Sequence, residues 1–164
     1  MDVPPAGNPF AALSLIVAPA ILTNASSVLA MSTSNRLARA VDRARELSRQ
    51  IEAPGDHDET RLLRELTITE ERAVLLLRVL RSFYIALGAF ALATLVSLVG
   101  AVVAVIERGA AVRALELIGV IAGGAAVGAL IHGSSLLIRE TRIAVGVVSE
   151  RADRARARLA SRIP

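Results

Sequence analysis

The chain has 164 residues, 54 % of them apolar and 21 % charged, and its net charge of +4 rests on Arg alone because no Lys is present. That length fits one domain, and an apolar share above the soluble norm excludes an ordinary interleaved core, because the two residue classes are segregated into blocks. No Cys is present, which excludes a disulfide framework, a thiolate nucleophile and a Cys-ligated metal.

The missing Lys fits a GC-rich bacterial genome. A pI near 11.1 raises nucleic acid as a partner. The 2 % aromatic content and the lack of any nucleic-acid motif argue against it. Basic segments beside apolar spans have a simpler origin in membrane topology. The start, Met1-Asp2-Val3-Pro4-Pro5, lacks the basic stretch of a secretory signal, so the first apolar block reads as a retained anchor.

That block runs from about Phe10 to Met31, and its reach of about 33 Å at 1.5 Å per residue matches the hydrocarbon core. Pro19 sits mid-block and predicts a kink between Ile16 and Pro19, which neighbouring helices in a membrane can re-satisfy. Arg-rich sequence follows at once. Over about 34–53, Leu37, Val41, Ala44, Leu47 and Ile51 fall on one side at helical spacing. Arg39, Asp42, Arg43, Glu46 and Arg49 occupy the rest at spacings that permit ion pairs. This amphipathic helix reads as a direct continuation of the first span. Pro54-Gly55-Asp56-His57-Asp58 ends it.

A second helix is expected over about 59–81. Thr67-Ile68-Thr69-Glu70 fits a capping box, which allows a restart there. From Glu70 the helical pattern leads into a second span, about 82–106. Glu107-Arg108-Gly109-Ala110 makes a short connection. The third span covers about 112–138, and a charged helix follows over about 139–162. In that tail Ile138, Val145, Ala152 and Leu159 lie seven apart, with Thr141, Val148 and Ala155 between them. The seam either associates with another copy or packs on the Leu37/Val41/Ile51 face of its own subunit.

Ten Arg lie between the first two spans and seven after the third, against two in the loop between spans two and three. The positive-inside rule then puts the N-terminus outside and the C-terminus in the cytoplasm of a bacterial inner membrane.

Enzyme signatures are missing: no phosphate-cradling Gly-rich loop, no zinc-type His pair, no nucleophile elbow. The chain is read as no enzyme, with no cofactor and no metal; Asp56-His57-Asp58-Glu59 reads as a solvated turn rather than a cation site. In the first span Asn24, Ser27, Met31 and Asn35 share a face, with Thr23 flanking it and Pro19 upstream. A buried Asn amide must face protein or water. It serves either as glue between helices or as the lining of an aqueous pathway. His132 in span three is either a proton-responsive gate or a hydrogen-bonded structural group, with Ser134, Ser135, Thr94 or Ser97 as partners. Glu116 pairs with Arg113 or belongs to an outer ring that attracts cations. Gly119-x-x-x-Gly123 and Gly124-x-x-x-Gly128 predict close helix packing.

The run Ile16-Val17-Ala18-Pro19-Ala20-Ile21-Leu22-Thr23-Asn24-Ala25, followed by Asn35-Arg36-Leu37-Ala38-Arg39 and Asp42-Arg43-Ala44-Arg45, resembles the signature of a widespread bacterial family of small three-span membrane proteins of unknown function. The match covers roughly residues 10–145, and Thr23 stands where an aliphatic residue is expected. The resemblance implies the fold and the membrane location and supplies no activity. It directs interest to Pro19, Asn24, Asn35, Arg36, Arg39, Asp42 and Arg43.

The expectation is an all-α membrane protein with three transmembrane helices extended into a cytoplasmic helical bundle or coiled coil. Its function is read as a homo-oligomeric, ion-conducting channel in the lipid bilayer. Pro19, Thr23, Asn24, Ser27, Met31 and Asn35 would line the pore, and Arg36, Arg39, Asp42 and Arg43 would form a basic vestibule. His132 and Glu116 would supply gating or polar contacts. The alternative is a membrane-anchored scaffold whose basic helices bind a partner or anionic lipid.

Overall fold

The structure is a computed structural model that describes residues 9–54, 58–106 and 109–160, with side chains from residue 17 to 146 of those and again at 149 and 156. Three helices account for nearly all of it: α1 over Pro9–Glu52, α2 over Glu59–Ile106 and α3 over Ala110–Ala160. Each apolar block and the charged stretch beside it are therefore joined in a single helix, and the Arg-rich segment after the first block is the direct continuation expected of it. Among the described residues, α2 and the Ala110–Gly146 part of α3 are long and apolar enough to cross a membrane.

α1 continues through Pro19. Proline has no N–H to offer the carbonyl four residues earlier. Two hydroxyls just beyond it bond back into the helix, Thr23 Oγ1 to the Pro19 carbonyl at 2.8 Å and Ser27 Oγ to the Thr23 carbonyl at 3.0 Å. α2 starts where Asp58 Oδ1 accepts the Arg61 N–H at 3.2 Å, a side-chain cap at the end where orphan donors gather. Glu59 in the first turn adds favourable charge there.

The restart that the Thr67 capping box allows does not occur. Thr67 Oγ1 donates to the Leu63 carbonyl at 3.0 Å, inside an unbroken helix. A cap needs free backbone N–H groups ahead of it, and here the preceding turns, held by buried Leu62, already provide their acceptors. Asp56 and His57 of the expected turn, and Glu107 and Arg108 of the expected connection, lie outside the described residues.

The chain forms two compact units, one of residues up to Ser32 with Arg81–His132, the other of Thr33–Leu80 with residues from Gly133 onward. In the first, Phe83, Ala86, Phe90 and Ala93 of α2 are buried at spacings of three and four, which defines one face. Ala86 and Phe90 pack with Ala126 of α3, flanked by Ala89, Ala129 and Leu130, so a large ring meets small residues. A Cβ on Gly119 would lie 3.7 Å from Val96 Cγ1 and 3.9 Å from Ser97 Oγ. The backbone of α3 therefore comes close to α2 at that point. A Cβ added at Gly123, Gly124 or Gly128 would meet nothing within 4 Å. Of the four motif glycines, only Gly119 is thus packed inside the unit. The outward surface is apolar, with Val105, Ile106, Val120 and Ile121 strongly exposed.

In the second unit the buried positions repeat every seven residues: Thr33, Ala40 and Leu47 on α1, and Leu62, Thr69 and Leu76 on α2. This is the spacing at which helices wound slightly around each other keep one seam inward. On α3 buried Gly133 is followed seven residues later by buried Glu140. Leu47 and Leu76 are completely buried, each worth about 1.5–3 kcal/mol in transfer from water. Leu37, Val41, Ala44 and Ile51, expected to face inward with Leu47, are only half-buried. The inward line is rotated toward Ala40. Of the tail seam, Ile138 and Val145 are exposed, so they are not packed on their own subunit; Val148, Ala152, Ala155 and Leu159 lie outside the described side chains.

Candidate functional site

Along α1, Asn24, Ser27, Met31 and Asn35 are all exposed, while Ser26, Ala30 and Thr33 between them are buried. Spacings of three and four put the first set on one side of the helix and the second set on the other. Pro19 and Thr23, expected to line the pore with the first set, are half-buried; they lie seven residues before buried Ser26 and Ala30 and so belong to the inward side of the helix. Met31 is 64 % exposed and Ile21 62 %, so the face mixes two carboxamides, a hydroxyl and a flexible thioether with aliphatic neighbours. Ser27 donates its proton to its own helix and offers lone pairs outward. Asn24 retains two donors and an acceptor.

Ser26 on the inward side differs from the other serines and threonines of α1. Its Oγ is fully buried and has no hydrogen-bond partner. Such a group costs about 1–3 kcal/mol.

In the second unit the sharpest electrostatic feature is a carboxylate held by two guanidiniums. Glu140 of α3 is 2 % exposed. Its Oε1 accepts from Arg72 Nε at 3.1 Å and Nη2 at 2.8 Å, and its Oε2 accepts from Arg36 Nη1 at 3.2 Å. One residue from each helix thus meets at a single point. The partners are 43 % and 32 % exposed, so the negative group is hidden and the positive groups reach water. Burying a lone carboxylate is prohibitive; two charge-assisted contacts make it tolerable.

The residues expected to form a basic vestibule are used differently from one another. Arg36 binds Glu140. Arg43 Nη2 reaches Glu65 Oε1 of α2 at 2.6 Å. Asp42 pairs with Arg45 of its own helix at 3.9 Å. Arg39 donates from Nε to the Asn35 carbonyl at 3.2 Å and is otherwise exposed. Glu46 takes Arg49 at 3.3 Å and Gln50 at 2.9 Å. A groove of about 860 Å³ opens beside this ladder, floored by Val41, Ala44, Ala73 and Val74 with Arg45, Arg49 and Glu70 at its edges.

His132 and Glu116 are both exposed. Thr94, one expected partner of His132, donates instead to the Phe90 carbonyl at 2.9 Å. Among the described residues Glu116 forms no ion pair with Arg113, and no cluster of three or more His, Cys, Asp or Glu could hold a metal ion.

Sequence reasoning missed Glu140, Arg72 and Glu65. The exposed Ile138/Val145 repeat drew attention away from the buried position two residues after Ile138. The available signal was the seven-residue line Ala126, Gly133, Glu140, on which a carboxylate follows two small residues and therefore demands cationic partners.

Comparison with curated proteins and with solved structures yields no match for this chain. A family model described as "Protein of unknown function (DUF2721)" matches residues 16–150, a range that includes the α1 face, the Arg ladder and Glu140. The match extends over most of the sequence, and the chain belongs to the DUF2721 family.

Proposed function

We propose that the protein is a homo-oligomeric, ion-conducting channel of the bacterial cytoplasmic membrane, in which α1 crosses the bilayer as a third span and lines the axis. The N-terminus is outside and the C-terminus in the cytoplasm. The observation that carries this reading is the exposure of Asn24, Ser27, Met31 and Asn35 on a single subunit. An amide turned toward hydrocarbon is costly, so that face requires water or a second copy. Glue within the subunit is disfavoured because the face is turned away from the subunit's own core. Exposed Ile138 and Val145 on α3 offer a further apolar strip for association between copies.

The test is reconstitution of the full chain into liposomes with an ion-flux readout. Asn24→Leu is expected to change flux without changing the oligomer seen in mild detergent. A monomeric wild-type protein, or flux indistinguishable from empty liposomes across voltage and pH, defeats the reading.

A second reading, a membrane-anchored scaffold, draws support from the groove along Val41, Ala44, Ala73 and Val74. It makes no use of the outward face of α1. It predicts an oligomer-independent partner and no flux.

A further inference from the structure

We infer that the groove between α1 and α2 receives an exposed strip of α3, formed by Ile138, Arg142 and Val145, from a second copy of the chain, so that copies join head to tail. The inference rests on the homo-oligomer of the reading above and makes no use of ion conduction. All of its residues belong to the unit of Thr33–Leu80 with residues from Gly133 onward.

Groove and strip lie on opposite sides of that unit. Arg36 and Arg43 stand three residues after buried Thr33 and Ala40, and Glu65 and Arg72 three after buried Leu62 and Thr69. These positions mark one flank of the α1/α2 pair, and α3 lies there because Glu140 takes both Arg36 and Arg72. Val41 and Glu70 stand one residue after Ala40 and Thr69, and Ala44 and Ala73 four after them. They mark the other flank, where the groove opens. On α3, Ile138 and Arg142 stand two residues to either side of Glu140 and Val145 five beyond it, all exposed and turned away from the buried carboxylate. A strip therefore cannot fill the groove of its own subunit. A contact between two different surfaces repeats from copy to copy, and it closes into a ring when the rotation allows.

The two surfaces match in height and in chemistry. Consecutive helices pack side by side in opposite directions, so α1 runs with α3 and α2 runs against it. The contacts of Glu140 with Arg72 and Arg36 set the heights. Counted from them, Ile138 stands level with Val74, Arg142 with Glu70 and Val145 with Val41. A ring whose axis runs along the helices keeps every copy at one height. Aliphatic side chains then meet aliphatic ones, and the guanidinium meets a carboxylate.

The free charges agree. Arg45 and Arg49 at the groove are taken by Asp42 and Glu46 of their own helix. Among the described residues, Glu52 and Glu70 at the groove form no ion pair, nor do Arg139 and Arg142 beside the strip. The groove is thus acidic and the strip basic. A contact of α3 with α3 would instead set Arg142 of one copy against Arg142 of the next.

The experiment is cross-linking of the full chain in mild detergent with a short bis-maleimide, on a background without Cys. The double variant Val41→Cys/Val145→Cys is expected to give a ladder of covalent multimers that ends at the size of the native oligomer. Each single variant alone should give none, and the two single variants co-expressed should give dimers and nothing larger. Dimers from Val145→Cys alone overturn the inference, as does a double variant that keeps the wild-type oligomer and yields no multimers; both results leave the channel reading standing. A monomeric wild type overturns the two together. A full ladder from a protein that passes no ions sustains the inference and removes the channel.

Discussion

Glu140 and its two arginines show how a charge is kept in a helical interior. The carboxylate has two oxygens, one taken by Arg36 and the other by both donors of Arg72. Removing Arg72 leaves Oε1 buried with no replacement donor, while Arg36 still compensates Oε2. Arg72→Ala is therefore expected to destabilise the protein by about 1–3 kcal/mol, less than the loss of a fully isolated pair. Arg39→Ala, which removes only an exposed intrahelical contact, should stay within about 0.5 kcal/mol. Denaturant unfolding in detergent measures both, and equal losses would contradict the role assigned to Arg72. The pairing was only partly legible in the sequence. Arg36 stood out because it opens the Arg ladder. Glu140 did not, because a carboxylate in a charged tail looks solvated until the register of its helix is known.

At the scale of the element, α1 is the informative helix because its two sides differ in kind. The side toward the subunit carries Ser26, Ala30, Thr33, Ala40 and Leu47, all buried. The outward side carries Asn24, Ser27, Met31 and Asn35. Helical periodicity made the outward set legible, including its polar character. The inward set was placed less well, since Leu37, Val41 and Ile51 are more apolar than Thr33 or Ala40 and attract the eye first. Small residues win the inward positions because they let the helices approach; the bulkier aliphatics sit at the margins, half-buried. Leu47 is the exception, large and completely buried. Leu47→Ala should cost about 2–5 kcal/mol through lost transfer energy and an unfilled cavity. Leu63→Ala, on an exposed position of α2, should cost under about 1 kcal/mol. Thermal unfolding of the two variants side by side tests the assigned inward line. The helix lengths were also readable, because nothing between Pro9 and Glu52 except Pro19 breaks the pattern, and a capping box at Thr67 has no effect once the preceding turns are helical.

For the whole molecule, family membership and helical architecture stand on the match over residues 16–150 and on the three helices themselves. The segregation of apolar and charged residues made that architecture readable from composition and spacing alone. What a single sequence conceals is which faces remain open after the subunit folds, since that depends on contacts between helices far apart in the chain. The channel account depends on one such open face. The chain has no Cys, so single cysteines can be introduced without background. The most direct measurement is flux through reconstituted Asn24→Cys and Ala30→Cys proteins before and after a charged, membrane-impermeant thiol reagent. The account predicts that the reagent modifies Asn24→Cys and blocks its flux, while buried Ala30→Cys is untouched. Asn24→Cys that stays unreactive, or that reacts with no effect on flux, would contradict it.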